Sequence, residues 1–320
     1  MADRNLYVIC CISNPVRYSS RYRLYEQFEE HMRRSGVVLI TVEAALGDRP
    51  FAVTKEGNIH NVQVRAGAES ELWLKESLLN LGFKHLYQKF PEWQYAAWVD
   101  ADIHFIRHDW AGETIEQLQH FKAVQPWSHA IDLGPKGTPF QLVESFCYSI
   151  WHDNASVAKT GAERPIEPYD ETGRRHPGYA WAIRRDAFNK LGGLLDFAIM
   201  GACDWIMAWG FAGDIDRARD RRYGEAYQRR VLDWQSRCDR AGIPGDIGYC
   251  DGTITHYWHG KKRERFYVSR DVALISTNYN PDTDIAYDGQ GLIVLTGANP
   301  ALRDALRRYL RSRNEDSIDE

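Results

Sequence analysis

The sequence predicts an α/β fold with a mixed, mostly parallel central sheet flanked by helices, and three observations carry that prediction. Leu6–Ser13 is an unbroken apolar run, the pattern of a strand covered on both faces. Tyr22, Leu24, Tyr25, Phe28 and Met32 then recur at helical spacing, and Gly36 leads into a second apolar run at residues 37–42. Such a strand–helix–strand unit makes its two strands parallel neighbours. The third observation is Tyr95–Val99, an apolar run of strand length that stops at Asp100 and Asp102.

The remaining elements follow in order. Asn14-Pro15 ends the first run and opens a loop with Arg17 and Tyr18, before a helix that starts at Ser19 or Ser20. Residues 51–64 read as a polar hairpin around Glu56-Gly57-Asn58. A helix then opens at Glu69, Ser70 or Glu71, with Leu72, Trp73, Leu78, Leu79 and Leu81 on its buried side and Lys75 and Asn80 as polar positions. Residues 110–120 read as a short helix and 121–127 as a strand. Residues 128–176, rich in Gly, Pro and charge with interleaved aromatics, have the composition of a flexible lid or acceptor loop. A strand at 180–183, a helix at 185–190, the Gly192-Gly193 turn and a helix starting near Asp204 come next. Between 217 and 240, arginines interleave with acids on what reads as a long, exposed, salt-bridged helix. Residues 300–313 place Leu302, Leu306 and Leu310 on one helical face, and 314–320 read as a disordered acidic tail.

Composition narrows the function. With 320 residues and 44% hydrophobic content the chain can bury a substantial core, as one large domain or two. A formal net charge of -4 carries no overall basic field of the kind that draws nucleic acid. The six cysteines lack metal-ligand spacing, and several lie in apolar runs, so they read as reduced thiols packed as small hydrophobes in a cytoplasmic protein. The N-terminal apolar run is too short for a signal peptide, and nowhere do about 18 apolar residues stand together to span a membrane.

Functional signal gathers past strand ends, where parallel sheets bind their ligands. Pro15 and Arg17 stand there after the first strand, Glu43 after the second, Asp100 and Asp102 after the third. Two carboxylates one residue apart can reach one hard divalent ion. Mg²⁺ or Mn²⁺ held this way completes its shell with water and substrate phosphates. Further along, Thr253-Ile-Thr-His-Tyr-Trp-His259 sets His256 and His259 before the basic cluster Lys261, Lys262 and Arg265. An imidazole can complete the coordination shell, and the cations can neutralise a diphosphate. Spacing does not choose between the two histidines, so both stay candidates.

Together the N-terminal strand–helix–strand unit, Lys75 with Asn80-Leu-Gly82, Trp98-Val-Asp-Ala-Asp102, Gly178-Tyr-Ala-Trp-Ala-Ile183, Leu191-Gly-Gly193, Asp204 and His256-Tyr-Trp-His259 form an ordered set. That set resembles nucleotide-sugar glycosyltransferases of the GT-A fold, the Rossmann-like fold of nucleotide-diphospho-sugar transferases. The resemblance covers residues 5–270 and points to the inverting group. It implies a transferase domain over 1–270, with a nucleotide-binding half at 1–127 and an acceptor-binding half at 128–270, and an extension over 271–320. It implies that Pro15, Arg17 and Glu43 cradle the nucleoside of a donor, commonly a UDP-sugar, and that Lys75 and Asn80 approach its base or diphosphate. Asp100 would face ribose or metal, Asp102 would ligate Mn²⁺ or Mg²⁺, and His256 or His259 would be a further protein ligand. Tyr179, Trp181 and Trp205 would line the acceptor side. Where many inverting relatives show two adjacent acids at the base position, this chain shows Cys203-Asp204.

The chemistry accounts for these parts. Breaking a sugar–diphosphate bond develops negative charge on the leaving nucleotide, which a divalent ion and Lys or Arg stabilise. An inverting displacement needs a carboxylate to take the acceptor hydroxyl's proton, and Asp204 is the choice. Trp181, Trp205 and Trp209 flank it with flat faces suited to a sugar ring or nucleobase. The acceptor is a glycan or another hydroxyl compound, modified DNA included if the arginine-rich segment met a polyanion. Two other classes fit less of the pattern. A haloacid-dehalogenase-type phosphatase using Asp100 and Asp102 wants Thr or Val where His104 stands. A non-catalytic carbohydrate-binding protein would explain the 12% aromatic content but needs neither the acids nor the lysines.

Overall fold

A computed structural model describes residues 5–152, 175–265 and 270–318 of the chain. Its first part runs β1 (Leu6–Ser13), α1 (Ser19–Arg34), β2 (Val38–Leu46), β3 (Asn61–Ala66), α2 (Lys75–Lys89), β4 (Tyr95–Val99), β5 (Ile103–Phe105), α3 (Trp110–His120) and β6 (Ala123–Gln125). The middle runs β7 (His129–Leu133), β8 (Pro139–Glu144), α4 (Phe146–His152), β9 (Ala180–Arg184), α5 (Arg185–Leu191), α6 (Cys203–Ala212) and α7 (Glu225–Ala241). β10 (Ile247–Tyr249), β11 (Thr253–His256), α8 (Arg270–Ser276), β12 (Ile285–Tyr287), β13 (Ile293–Leu295) and α9 (Pro300–Ser312) follow.

Seven strands form the central sheet in the order β10-β6-β9-β4-β1-β2-β3. Its pairs are parallel except the two made by β9, so the sheet is mixed and mostly parallel, as the sequence predicts. β1 shows why it is covered on both faces. Successive side chains of a strand point to opposite sides. Tyr7 and Ile9 join the apolar cluster of α2, α6 and α7, while Leu6, Val8, Cys10 and Ile12 join that of α1 and α3. Gly82 of α2 permits the close approach to β1, since a Cβ there would lie 2.4 Å from the Ile9 side chain. A second sheet, β5-β11-β7-β8, begins just past the acidic pair that ends β4.

Several expectations are corrected. Residues 51–64 are not a hairpin: turns lead into β3, which pairs in parallel with β2. The helix expected from 69–71 begins at Lys75, and Trp73 ahead of it donates its backbone N–H to Ile199 O at 3.0 Å. The arginine-rich stretch is broken ahead of Gly224, and α7 is amphipathic, burying Tyr227, Val231, Trp234 and Cys238. Residues 128–152 form β7, β8 and α4 rather than an open loop; 153–174, which the lid reading also included, lie outside the described residues. The acidic tail is not disordered over 314–318: Glu315 is 1% exposed. All six cysteines are unpaired and five are buried. Among the described residues no helix is long and apolar enough to cross a membrane.

Candidate functional site

The acidic pair sits where β4 leaves the sheet. Asp100 N–H donates to Tyr179 O at 2.8 Å, which fixes the strand end against the start of β9. Three residues on, the chain enters β5, whose Ile103 pairs with His256 at the end of β11. That register puts His256 beside Asp102, and Tyr257 N–H donating to Asp102 O at 2.9 Å holds the following loop. His259 comes back from this loop, its Nε2 3.0 Å from Asp102 Oδ2. His256 Nε2 lies 3.8 Å from the same oxygen.

The three side chains offer one ligand atom each within 4.8 Å of one another. Two observations test whether an ion fits there. Among the described residues Asp102 Oδ1 is buried without a hydrogen-bond partner, a costly state for a carboxylate oxygen. The two Nε2 atoms face each other at 3.2 Å. His256 Nδ1 lies 2.9 Å from Asp132 Oδ1; a carboxylate only accepts, so Nδ1 carries a proton and Nε2 is the nitrogen turned toward Asp102 and His259. Burial, with Arg265 nearby, lowers His259 to about 4, which keeps that ring neutral and able to ligate. An oxygen and two imidazole nitrogens converging in this way suit a divalent first-row ion.

Asp132 was not singled out by sequence reasoning. It is 2% exposed and accepts hydrogen bonds from Tyr179 Oη at 2.6 Å and from Lys262 Nζ as well as from His256. Parallel pairing of β7 with β11 sets Asp132 opposite His256, a long-range register no local pattern reveals. The available signal was an acid inside the apolar run His129–Leu133.

The triad opens into a cavity of about 630 Å³, within the range of small-molecule sites. Pro15, Lys75, Asp100, Tyr179, Asp204, Trp205 and Lys262 line it with the triad. Lys75, at the start of α2, is paired with Asp100; burial would lower its pKa, but Asp100, Glu76 and Asp204 hold it above the ordinary value. Asp204 lies in the first turn of α6 rather than at its cap, which is Ala202, and its Oδ1 accepts Trp205 N–H at 2.9 Å. Gly178 makes room for it, since a Cβ there would stand 3.0 Å from Asp204 Oδ2. Glu76, also in the lining, went unnoticed in the sequence; burial raises its carboxyl to about 7.

Five expected site residues are placed elsewhere. Arg17 is exposed, at φ 69°, and does not line the cavity. Glu43 is buried and accepts from the backbone N–H groups of Ala52, Val53 and Thr54 and the Thr54 hydroxyl, at 2.6 to 3.0 Å. Its carboxylate therefore shapes the 52–54 turn. Asn80 grips Leu194, accepting from its N–H at 2.7 Å and donating to its O at 3.0 Å. Trp181 is core, 2% exposed, with Nε1–H donating to Pro177 O. Lys261 lies outside the lining, and Lys262, inside it, is engaged by Asp132 and by Gln141 Oε1 at 2.6 Å. The basic side chains of α7 are partly neutralised, Arg229 and Arg230 both meeting Asp282.

No family model matches the chain, and no curated protein matches it. Among solved structures it is similar to the catalytic domain of Drosophila β1,4-galactosyltransferase 7 in complex with xylobiose, at 12% identity over 93% of this chain and 98% of that one, with a TM-score of 0.35. A mutant of that enzyme in complex with manganese, UDP-Gal and xylobiose is similar at 11% identity over 93% and 98%, TM-score 0.37. A glycosyltransferase involved in the glycosylation of the major capsid of PBCV-1 is similar at 11% identity over 82% and 96%, TM-score 0.30.

Proposed function

We propose that this chain is a metal-dependent glycosyltransferase of the GT-A class. It would move a sugar from a nucleoside-diphosphate donor, a UDP-sugar, to a hydroxyl of a glycan acceptor with inversion at the anomeric carbon. The observation that carries the reading is the Asp102, His256 and His259 set at the end of β4, opening into a cavity that also holds Lys75, Asp100 and Asp204. Three protein ligands leave coordination positions for substrate oxygens, and two imidazoles favour Mn²⁺ over Mg²⁺. Bound there, the ion would supply Lewis-acid stabilisation of the charge that develops on the leaving diphosphate.

The chain's own residues supply the rest. Lys75, kept charged by Asp100, adds a fixed cation in the cavity, preorganised by its ion pair. Asp204 takes the proton of the acceptor hydroxyl; one of its oxygens is held by Trp205 N–H, which orients the carboxylate. Trp205 offers an aromatic face to a sugar ring, whereas Tyr179, expected beside it, is 7% exposed with its ring stacked on His176 at 4.0 Å and serves the wall of the site. Residues 1–270 carry the ligands and catalytic groups, with the donor side in 1–127 completed by His256 and His259, and the acceptor side in 128–270.

The test is a transfer assay. A panel of nucleotide sugars is incubated with the protein, Mn²⁺ and simple glycosides, nucleotide release is followed, and the product anomer is read by NMR. Release of UDP with an inverted product is the expected result. No turnover of any nucleotide sugar, or a product that retains the donor's configuration, contradicts the proposal or its mechanism respectively.

A further inference from the structure

His256 and His259 are held in place by different parts of the chain. His256 ends β11, where it is paired with Ile103 on one side and Asp132 on the other. His259 stands outside any strand. On both flanks of His259 the chain rests on the segment 313–317. Just before it, Trp258 Nε1–H donates to Ser317 O at 2.6 Å. Just after it, Gly260 at φ 90° lies so close that a Cβ would meet Asn314 O at 2.8 Å and Glu315 Cα at 2.9 Å.

The segment is anchored in turn to the strand end and helix start across the cavity. Glu315 takes Arg21 Nε and Nη2 at 2.5 and 2.7 Å and Arg313 Nε at 2.6 Å. Arg21 also donates to Ser13 O at the end of β1. Asp316 accepts the backbone N–H groups of Ser19 and Ser20, unpaired donors of the first turn of α1, at 2.9 and 2.8 Å. Tyr18 Oη accepts Asn314 N–H at 3.1 Å. Arg21, Arg313, Glu315 and His259 all line the same cavity.

We propose that residues 313–317 are a positioning element of the metal site, a brace that fixes the His259 ring against Asp102 and ties that ligand to the end of β1. The inference rests on the reading of Asp102, His256 and His259 as metal ligands. Without the brace the 257–260 loop keeps Tyr257 N–H on Asp102 O and the Arg265 contact to Gly260 O at 3.5 Å, but both flanks of His259 lose their packing on 313–317 and more of the loop's ordering falls on the binding step. With the brace, folding has already met that cost. His256 needs no such help, because the sheet and Asp132 hold it. The effect of the brace is therefore specific to one ligand.

The experiment titrates Mn²⁺ alone into the full chain and its variants by calorimetry, with far-UV circular dichroism and melting to follow the fold. The variants are a chain ending at Ser312 and Trp258→Phe, each alone and combined with His259→Ala or with His256→Ala. Supporting groups around a metal ligand typically contribute 10- to 100-fold in affinity. The shortened chain is expected to bind Mn²⁺ about tenfold or more weakly, to add nothing to His259→Ala, and to add its full factor to His256→Ala. Trp258→Phe, which loses one hydrogen bond and keeps the segment, is expected to show the same asymmetry at smaller size. If the shortened chain does not fold, the Trp258→Phe cycles decide by the same criterion. Wild-type affinity in the variants, or an equal loss on both histidine backgrounds, overturns the brace while leaving the metal site standing. A wild-type chain that takes up no divalent ion at millimolar concentration overturns the metal reading and the brace with it.

Discussion

Replacing Asp132 with Asn isolates the group that stands behind His256. Three donors converge on its two oxygens: His256 Nδ1–H, the Tyr179 hydroxyl and the Lys262 ammonium. A carboxylate accepts from all three. A carboxamide of the same shape has one accepting oxygen and an NH₂ group, so one donor must face another. If the NH₂ faces His256, the ring has to accept at Nδ1 and carry its proton on Nε2, which removes the lone pair offered to the metal. If it faces Lys262, two donors meet there, and in either orientation the ammonium loses its counter-ion because a carboxamide carries no charge. Loss of such support behind a ligating histidine costs 10- to 100-fold in metal affinity, about 1.4 to 2.7 kcal/mol. Calorimetric titration of Mn²⁺ at neutral pH is expected to show a Kd raised by that factor with an unchanged circular dichroism spectrum. A variant that binds Mn²⁺ as tightly as wild type refutes the role of Asp132 and the tautomer assigned to His256.

Three further outcomes are expected. Asp102→Ala should abolish Mn²⁺ binding while relieving an unpartnered buried oxygen, so the fold should survive; retained Mn²⁺ uptake would remove Asp102 from the site. Asp204→Asn should lower kcat of transfer by about 10²- to 10⁴-fold with donor and metal affinity near wild type, and normal turnover would reduce Asp204 to a helix-turn residue. Glu76 has its carboxyl raised from 4.5 to about 7, burial being the main cause, so between those values the folded chain holds a proton the unfolded chain has lost. Its contribution to stability therefore falls as pH rises through that window, by about 3 kcal/mol, and denaturant melts of Glu76→Gln at pH 5 and pH 8 should show a flatter pH dependence than wild type.

What the sequence shows well is whatever repeats locally. β1, α1 and β4 follow from apolar periodicity, and α9 from its leucine face. Asp102, His256 and His259 were legible as candidates because carboxylate and imidazole are ligand types a divalent ion takes, and the fold brings their ligand atoms within 4.8 Å of one another. Residues whose partners lie far along the chain were not. Glu43 and Asn80 look like ligand contacts from their positions, yet their polar atoms satisfy backbone groups of a turn and of Leu194, 114 residues from Asn80. Asp132 became visible only through strand register, and Trp181, apt for stacking on a sugar, is used as core. The segment 314–318 was misread on composition alone. Its acids are held by neighbouring Arg313 and by Arg21 and the start of α1, and the contacts to Arg21 and α1 span nearly the whole chain.

The most direct test of the account is a calorimetric titration of UDP into the wild-type chain with Mn²⁺ and then with excess chelator, repeated in Asp102→Ala. Binding that requires the ion, and that is lost in the variant, is the expected result. UDP binding that is equal with and without Mn²⁺, or no binding in either condition, would contradict a site in which the metal triad and the nucleotide diphosphate are parts of one machine.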